Sequence, residues 1–79
     1  MLIEYMDSAM RHATYEILED KSYYGEIPEC VGVYANDETL EGCRTLLREV
    51  LEGWIFLHIK DGVELPVVDG IGIELFEPA

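Results

Sequence analysis

The stretch that decides the fold is Thr39-Leu40-Glu41-Gly42-Cys43-Arg44-Thr45-Leu46-Leu47-Arg48-Glu49-Val50-Leu51-Glu52-Gly53-Trp54-Ile55-Phe56-Leu57-His58-Ile59-Lys60-Asp61-Gly62. Leu40, Cys43, Leu47, Val50, Leu51, Trp54 and His58 recur at 3.6-residue spacing and form one stripe of a long helix. Glu41, Arg44, Arg48, Glu49 and Glu52 cover the other side. Glu41 with Arg44, and Arg48 with Glu52, stand at spacings that allow weak ion pairs. Thr39 or Asp37 supplies the oxygen that caps the first free amides. Asp61-Gly62 ends the helix, with Gly62 suited to a left-handed cap. Each large side chain buried along the stripe contributes about 1.5–3 kcal/mol before entropy is counted. Helix-on-sheet packing is therefore expected to be the main source of stability.

The sheet is expected upstream of that helix. His12 to Glu19 reads as a strand, with Ala13, Tyr15 and Ile17 on one face and Thr14, Glu16 and Leu18 on the other. Asp20-Lys21-Ser22 is a tight turn, and Tyr23 to Ile27 is the return strand. Gly25 inside that strand marks a close approach by another group. Pro28 to Gly32 breaks the pairing, because Pro28 lacks a donor and Gly32 permits a positive φ. Val33-Tyr34-Ala35 gives a short third strand, and Asn36-Asp37-Glu38 turns into the long helix. Before the hairpin, Leu2, Ile3, Met6 and Met10 predict a short helix over residues 2–11. After the long helix, 63–68 is a connection interrupted by Pro66, and Asp69-Gly70 is a turn. Ile71, Ile73 and Leu75 alternate with Gly72, Glu74 and Phe76 in a last strand over 71–77, which Pro78 stops. The expectation is an α+β fold: a three-to-four-stranded antiparallel sheet packed on one long helix, with a short N-terminal helix. At 79 residues the chain has room for one domain, 1–79.

Charge bounds the function. Seventeen acidic residues against five basic ones give a formal net charge of −12. Nucleic-acid binders neutralise phosphates with Lys and Arg, so direct contact with nucleic acid is not expected. An anionic membrane surface is disfavoured for the same reason. A basic protein partner is favoured, because opposite fields speed encounter and suppress wrong partners. The chain is 49% hydrophobic, too apolar for a disordered segment. Its first residues lack the basic-then-apolar pattern of a signal peptide, so the cytoplasm is the expected location.

Signs of chemistry are sparse. Cys30, Cys43, His12 and His58 show no paired metal-ligand spacing, so no metal is expected and the thiols read as buried packing groups. Glu16 and Glu26 lie on facing hairpin strands and read as a solvated face. Tyr23, Tyr24 and Tyr34 form an aromatic group suited to core or interface packing. No nucleophile with an adjacent base and no phosphate-cradling glycine loop occurs, so neither an enzyme nor a cofactor is expected. The far end of the long helix is more apolar than one face requires. Either the N-terminal helix or a second subunit covers it, and Trp54, Ile55, Phe56 and Ile59 are the expected interface of a homo-oligomer, a dimer or tetramer.

Three segments carry a family resemblance. They are Tyr23-Tyr24-Gly25-Glu26-Ile27-Pro28-Glu29-Cys30-Val31-Gly32-Val33, then Asp37-Glu38-Thr39-Leu40-Glu41, then Glu49-Val50-Leu51-Glu52-Gly53-Trp54. Together they resemble the HicB antitoxin family over residues 13–60. The resemblance implies a partial ribonuclease-H-like fold without nuclease activity. It also implies a partner, a small basic HicA-type toxin that cleaves RNA and is neutralised by being covered. The acids bordering the hairpin and turn, Glu26, Glu29, Asp37 and Glu41, are then the candidate contacts. Three features depart from the family pattern. Val31 stands where a proline is common, and Gly42 and Gly53 replace helix formers at about 1 kcal/mol each. The chain stops at Ala79 without the DNA-binding domain many members carry, so operator binding is not expected. Two further readings stay open: a homo-oligomeric scaffold or ligand-binding domain without a toxin, and an enzyme of unknown type.

Overall fold

The computed structural model describes residues 2–71. In chain order these form α1 (Leu2–Arg11), β1 (Thr14–Ile17), β2 (Tyr23–Glu26), β3 (Tyr34–Asp37) and α2 (Leu40–Asp61). The strands make one antiparallel sheet in the order β1-β2-β3. Tyr15 pairs with Gly25 and Glu16 with Tyr24; Gly25 pairs in turn with Ala35, and Glu26 with Tyr34. The expected α+β architecture is the observed one. The expected last strand over 71–77 lies, beyond Ile71, outside the described residues. Ile71 itself bridges back to Val68 across the Asp69-Gly70 turn.

α2 packs across β2 and β3, and the centre of the expected stripe sinks into the core. Cys43, Leu47, Leu51 and Ile55, spaced four apart, are its buried line. Leu40 is exposed, while Val50, Trp54 and His58 are half-buried on the flanks. The line works because the sheet beneath it is small-residue ground. Buried Gly25 and Ala35 face it, and a Cβ on Gly25 would come within 2.8 Å of the Tyr15 ring and 3.2 Å of Cys43 Sγ. That is the close approach Gly25 announced.

The N-terminal helix buries a different face from the expected one. Leu2 and Ile3 are exposed, and Tyr5, Met6, Ser8 and Ala9 are buried instead. Tyr5 decides this. Its ring is fully enclosed and its hydroxyl donates to Pro66 O at 2.6 Å, which fixes the rotation of α1 and ties it to the segment after α2. Leu65 and Val68 of that segment are buried in the same core. Arg48 pairs with Asp7 of α1 at 3.1 Å, rather than with Glu52 along its own helix. Both side chains are nearly half exposed, so the pair contributes at most about 1 kcal/mol.

Three turns follow local chemistry. Lys21 adopts a positive φ of 72° while Asp20 Oδ1 accepts from both the amide and the hydroxyl of Ser22. Gly32 has φ 100°, closing the 28–32 turn on the bond from Ile27 N–H to Val33 O. β3 begins one residue later than expected and takes in Asn36 and Asp37, two positions expected in a turn. Asp37 pairs with Tyr23 in the sheet while its carboxylate accepts from the Thr39 amide at 3.2 Å. At the other end of α2, Gly62 (φ 69°) and Val63 donate to Ile59 O and His58 O, satisfying the last carbonyls.

Thr39 is the cap of α2, and Gly42 has a positional reason. Gly42 N–H donates to Thr39 Oγ1 at 2.9 Å, and a Cβ on Gly42 would collide with the Asp37 carboxylate. Nothing crowds Gly53. Replacing Gly53 by Ala should therefore stabilise the chain by up to about 1 kcal/mol. Replacing Gly42 by Ala should destabilise it by about 0.5–2 kcal/mol, the scale of a lost N-cap, despite the same gain in propensity. Urea unfolding midpoints of the two variants should move in opposite directions.

Candidate functional site

With α2 on one side, the sheet has one face that no other element among the described residues covers. Thr14 and Glu16 from β1, Tyr24 and Glu26 from β2, and Tyr34 and Asn36 from β3 share that face by strand alternation. Glu16 lies directly opposite Tyr24, and Glu26 directly opposite Tyr34, so carboxylates and rings form a checkerboard. The Tyr24 and Tyr34 rings stack with centroids 6.3 Å apart at 27°. The Tyr24 hydroxyl donates to Glu26 Oε1 at 2.9 Å, and that bond to a carboxylate pushes the Tyr24 hydroxyl above its usual range. Thr14, Tyr15, Glu16, Tyr24 and Glu26 line a shallow depression of about 230 Å³. The three strands carry no Lys or Arg.

The four acids expected to contact a partner do not share one surface. Glu26 lies on the open sheet face. Asp37 and Glu41 sit at the start of α2, where Asp37 is occupied by Thr39. Glu41 is exposed in the first turn. It borders a groove lined by Met10, Leu40, Arg44, Thr45 and Arg48. Glu29 lies in the 28–32 turn, exposed, with one carboxylate oxygen engaged inside the protomer. His12 Nδ1 lies 2.8 Å from Glu29 Oε2, and His12 Nε2 lies 2.7 Å from Asp69 Oδ1. Sequence inspection missed this cluster because its members stand 17 and 57 residues apart.

Only an imidazolium can donate from both ring nitrogens at once. The bond to Asp69 raises the His12 pKa above its ordinary value, with Glu29 adding to it against some desolvation. His12 therefore clasps two turns, 28–32 and 69–70, to the start of β1. A second strap crosses to the same turn from α2, where Trp54 Nε1–H donates to Val31 O at 3.2 Å. The Trp54 ring rests on His58 with centroids 4.1 Å apart, and His58 Nδ1–H donates to Trp54 O at 2.9 Å. His58 is thus the half-buried packing residue the stripe implied. The buried thiols of Cys30 and Cys43 have their pKa values raised by burial. Among the described residues no group of three or more His, Cys, Asp and Glu has the geometry to hold a metal ion.

The expected oligomer patch also divides. Ile55 is 2% exposed and belongs to the core of its own chain, because it continues the Cys43-Leu47-Leu51 line; it cannot serve an interface. Trp54 is half-buried by its contacts with Val31 and His58. Phe56 and Ile59 remain outside, 65% and 42% exposed, with Leu57 at 55% beside them. A 22-residue helix is about 33 Å long, whereas four-residue strands span roughly 13 Å, so much of α2 runs beyond the sheet.

Fold and surface together define a small acidic α+β domain with an open sheet face and no membrane-crossing helix among its described residues. The UPF0150-like family matches residues 4–66, and the chain belongs to that family, which is of the HicB-like, antitoxin type. The fold is similar to the crystal structure of TTHA0281 from Thermus thermophilus, with a TM-score of 0.91 and 36% identity. That similarity covers 96% of this chain and 95% of the Thermus chain. No curated protein matches.

The clasp has a pH signature. Because the folded His12 pKa is raised, its stabilisation is complete below the ordinary histidine value and fades as pH rises through the raised one. The stability difference between wild type and His12→Ala should therefore shrink from about pH 5.5 to about pH 9 in urea titrations. A difference that grows with pH would contradict the imidazolium bridge.

Proposed function

We propose that this chain is an antitoxin-like binding domain that neutralises a basic HicA-type, RNA-cleaving toxin by covering it, with no catalysis and no cofactor of its own. The observation that carries the reading is the uncovered sheet face, which holds carboxylates and tyrosines and no cation on any strand. A net charge of −12 extends the same field over the molecule. A surface built to attract RNA is positive, and an acidic domain competes for it by long-range attraction and by occupying its area. Membership of an antitoxin-type family supports the same reading. Glu26 and Glu41 remain available as contacts, and Asp37 does so through whatever its capping bonds leave free.

The test is affinity capture from the native lysate at low salt. A basic protein of about toxin size should be retained, and raising salt from about 0.1 M to about 0.5 M should release it, because the Debye length falls from about 10 Å to about half that. Retention of nothing basic, with no response to salt, would contradict the reading.

We further propose that a second copy of the chain covers Phe56, Leu57 and Ile59, giving a homodimer or a larger even assembly. Three large apolar side chains in one exposed turn of helix favour this. Sedimentation should give a mass at least twice 9.0 kDa. A Phe56→Glu, Ile59→Glu double variant should sediment as a folded monomer with unchanged helical circular dichroism.

A further inference from the structure

We propose that the open sheet face receives an arginine side chain of the partner, its guanidinium plane lying on Tyr34 and Tyr24 and its N–H edges reaching Glu16 and Glu26. This deepens the antitoxin reading and rests on it. The strand register sets the pattern. In one row across the sheet Glu16 faces Tyr24, and in the next Glu26 faces Tyr34. The two carboxylates therefore stand on a diagonal between β1 and β2, and the two stacked rings stand on a parallel diagonal one strand over, between β2 and β3. Diagonal neighbours on adjacent strands lie within reach of a single long side chain.

Of the groups a protein partner can offer, guanidinium answers this pattern most fully. It is planar and stacks on aromatic faces, and it donates along its edges to carboxylates. An ammonium satisfies the carboxylates but has no face to stack. Tyr34 is 59% exposed, so its ring is open to such stacking. The bond from the Tyr24 hydroxyl holds Glu26 Oε1 beside the rings, which leaves the other oxygen of that carboxylate for a donor. The depression lined by Thr14, Glu16, Tyr24 and Glu26 gives the side chain a seat.

The alternatives are disfavoured by charge. A second copy meeting this face with its own would set Glu16 and Glu26 against their equivalents. A phosphate backbone would meet two carboxylates and no cation on the strands. A basic protein segment meets neither obstacle.

The test titrates the full chain, labelled with nitrogen-15, with a hexa-arginine peptide and in parallel with a hexa-lysine peptide at about 50 mM salt. The largest amide shifts with arginine should fall at residues 14–16, 24–26 and 34–36, and arginine should bind about three- to fivefold tighter than lysine. Tyr24→Ser with Tyr34→Ser should abolish that preference. Glu16→Gln with Glu26→Gln should weaken both peptides while keeping the preference. Should the double serine variant lose its fold, Tyr34→Ser alone, at the more exposed ring, should still reduce the preference. Equal binding of the two peptides, or shifts centred on residues 37–45, would overturn the inference. With a basic protein still captured from lysate, that result would leave the antitoxin reading intact on another surface. A chain that captures no basic protein would overturn both.

Discussion

The contact of α2 with the sheet is set by how little lies between them. Gly25 and Ala35 are the residues β2 and β3 present beneath the helix, and the Cys43 thiol reaches Ala35 O at 3.6 Å. Any larger side chain at Gly25 would meet the Tyr15 ring and Cys43 together. The small floor lets Leu47, Leu51 and Ile55 descend into a core they share with Tyr5, Met6, Ala9, Ile27 and Val33. Each of these large side chains contributes about 1.5–3 kcal/mol by leaving water, so the helix and sheet cannot part without exposing most of the apolar interior. Because one sheet face is committed to this contact, the opposite face is left for something else.

The remaining elements are held by side-chain bonds between segments distant in sequence. Tyr5 fastens α1 to Pro66, His12 fastens two turns to the start of β1, and Trp54 fastens α2 to Val31. Each replaces a water-exposed polar group by a specific partner, for a net gain of about 1 kcal/mol where both are neutral. Their larger effect is geometric. A domain this small has few ways to fix the rotation of a ten-residue helix or the position of the segment that follows α2, and these bonds do so. The 28–32 turn is gripped from two sides, by His12 through Glu29 and by Trp54 through Val31.

Charge is distributed with the same economy. The excess of carboxylates is not one patch. Some cap and close the chain on itself, as Asp20, Asp37, Glu29 and Asp69 do. Others, such as Glu16 and Glu26, stand on strands that carry no cation. The arrangement separates acids that hold the fold from acids that give the open face its field. Repulsion within so acidic a molecule opposes compaction.

Much of the fold was legible in the chain. The stripe through Cys43, Leu47 and Leu51, a cap at Thr39 or Asp37, the Gly62 stop and the hairpin around Asp20-Lys21-Ser22 depend on residues within a few positions of one another, so local periodicity and turn chemistry reveal them. The identity of Gly25 as a point of close approach was readable for the same reason. What the sequence left open was every decision made between distant residues. Whether Leu2 and Ile3 or Tyr5 and Ala9 would face inward depended on a carbonyl 61 residues away. Where Glu29 would place its carboxylate depended on His12, and whether Gly42 was a flaw or a requirement depended on where Asp37 placed its carboxylate. Ile55 could be read as core or interface until the sheet, α1 and the 63–68 segment closed over it. Local pattern fixes which residues can be apolar neighbours along one element; only tertiary packing selects the partner, because that choice depends on distances through space that sequence separation does not encode.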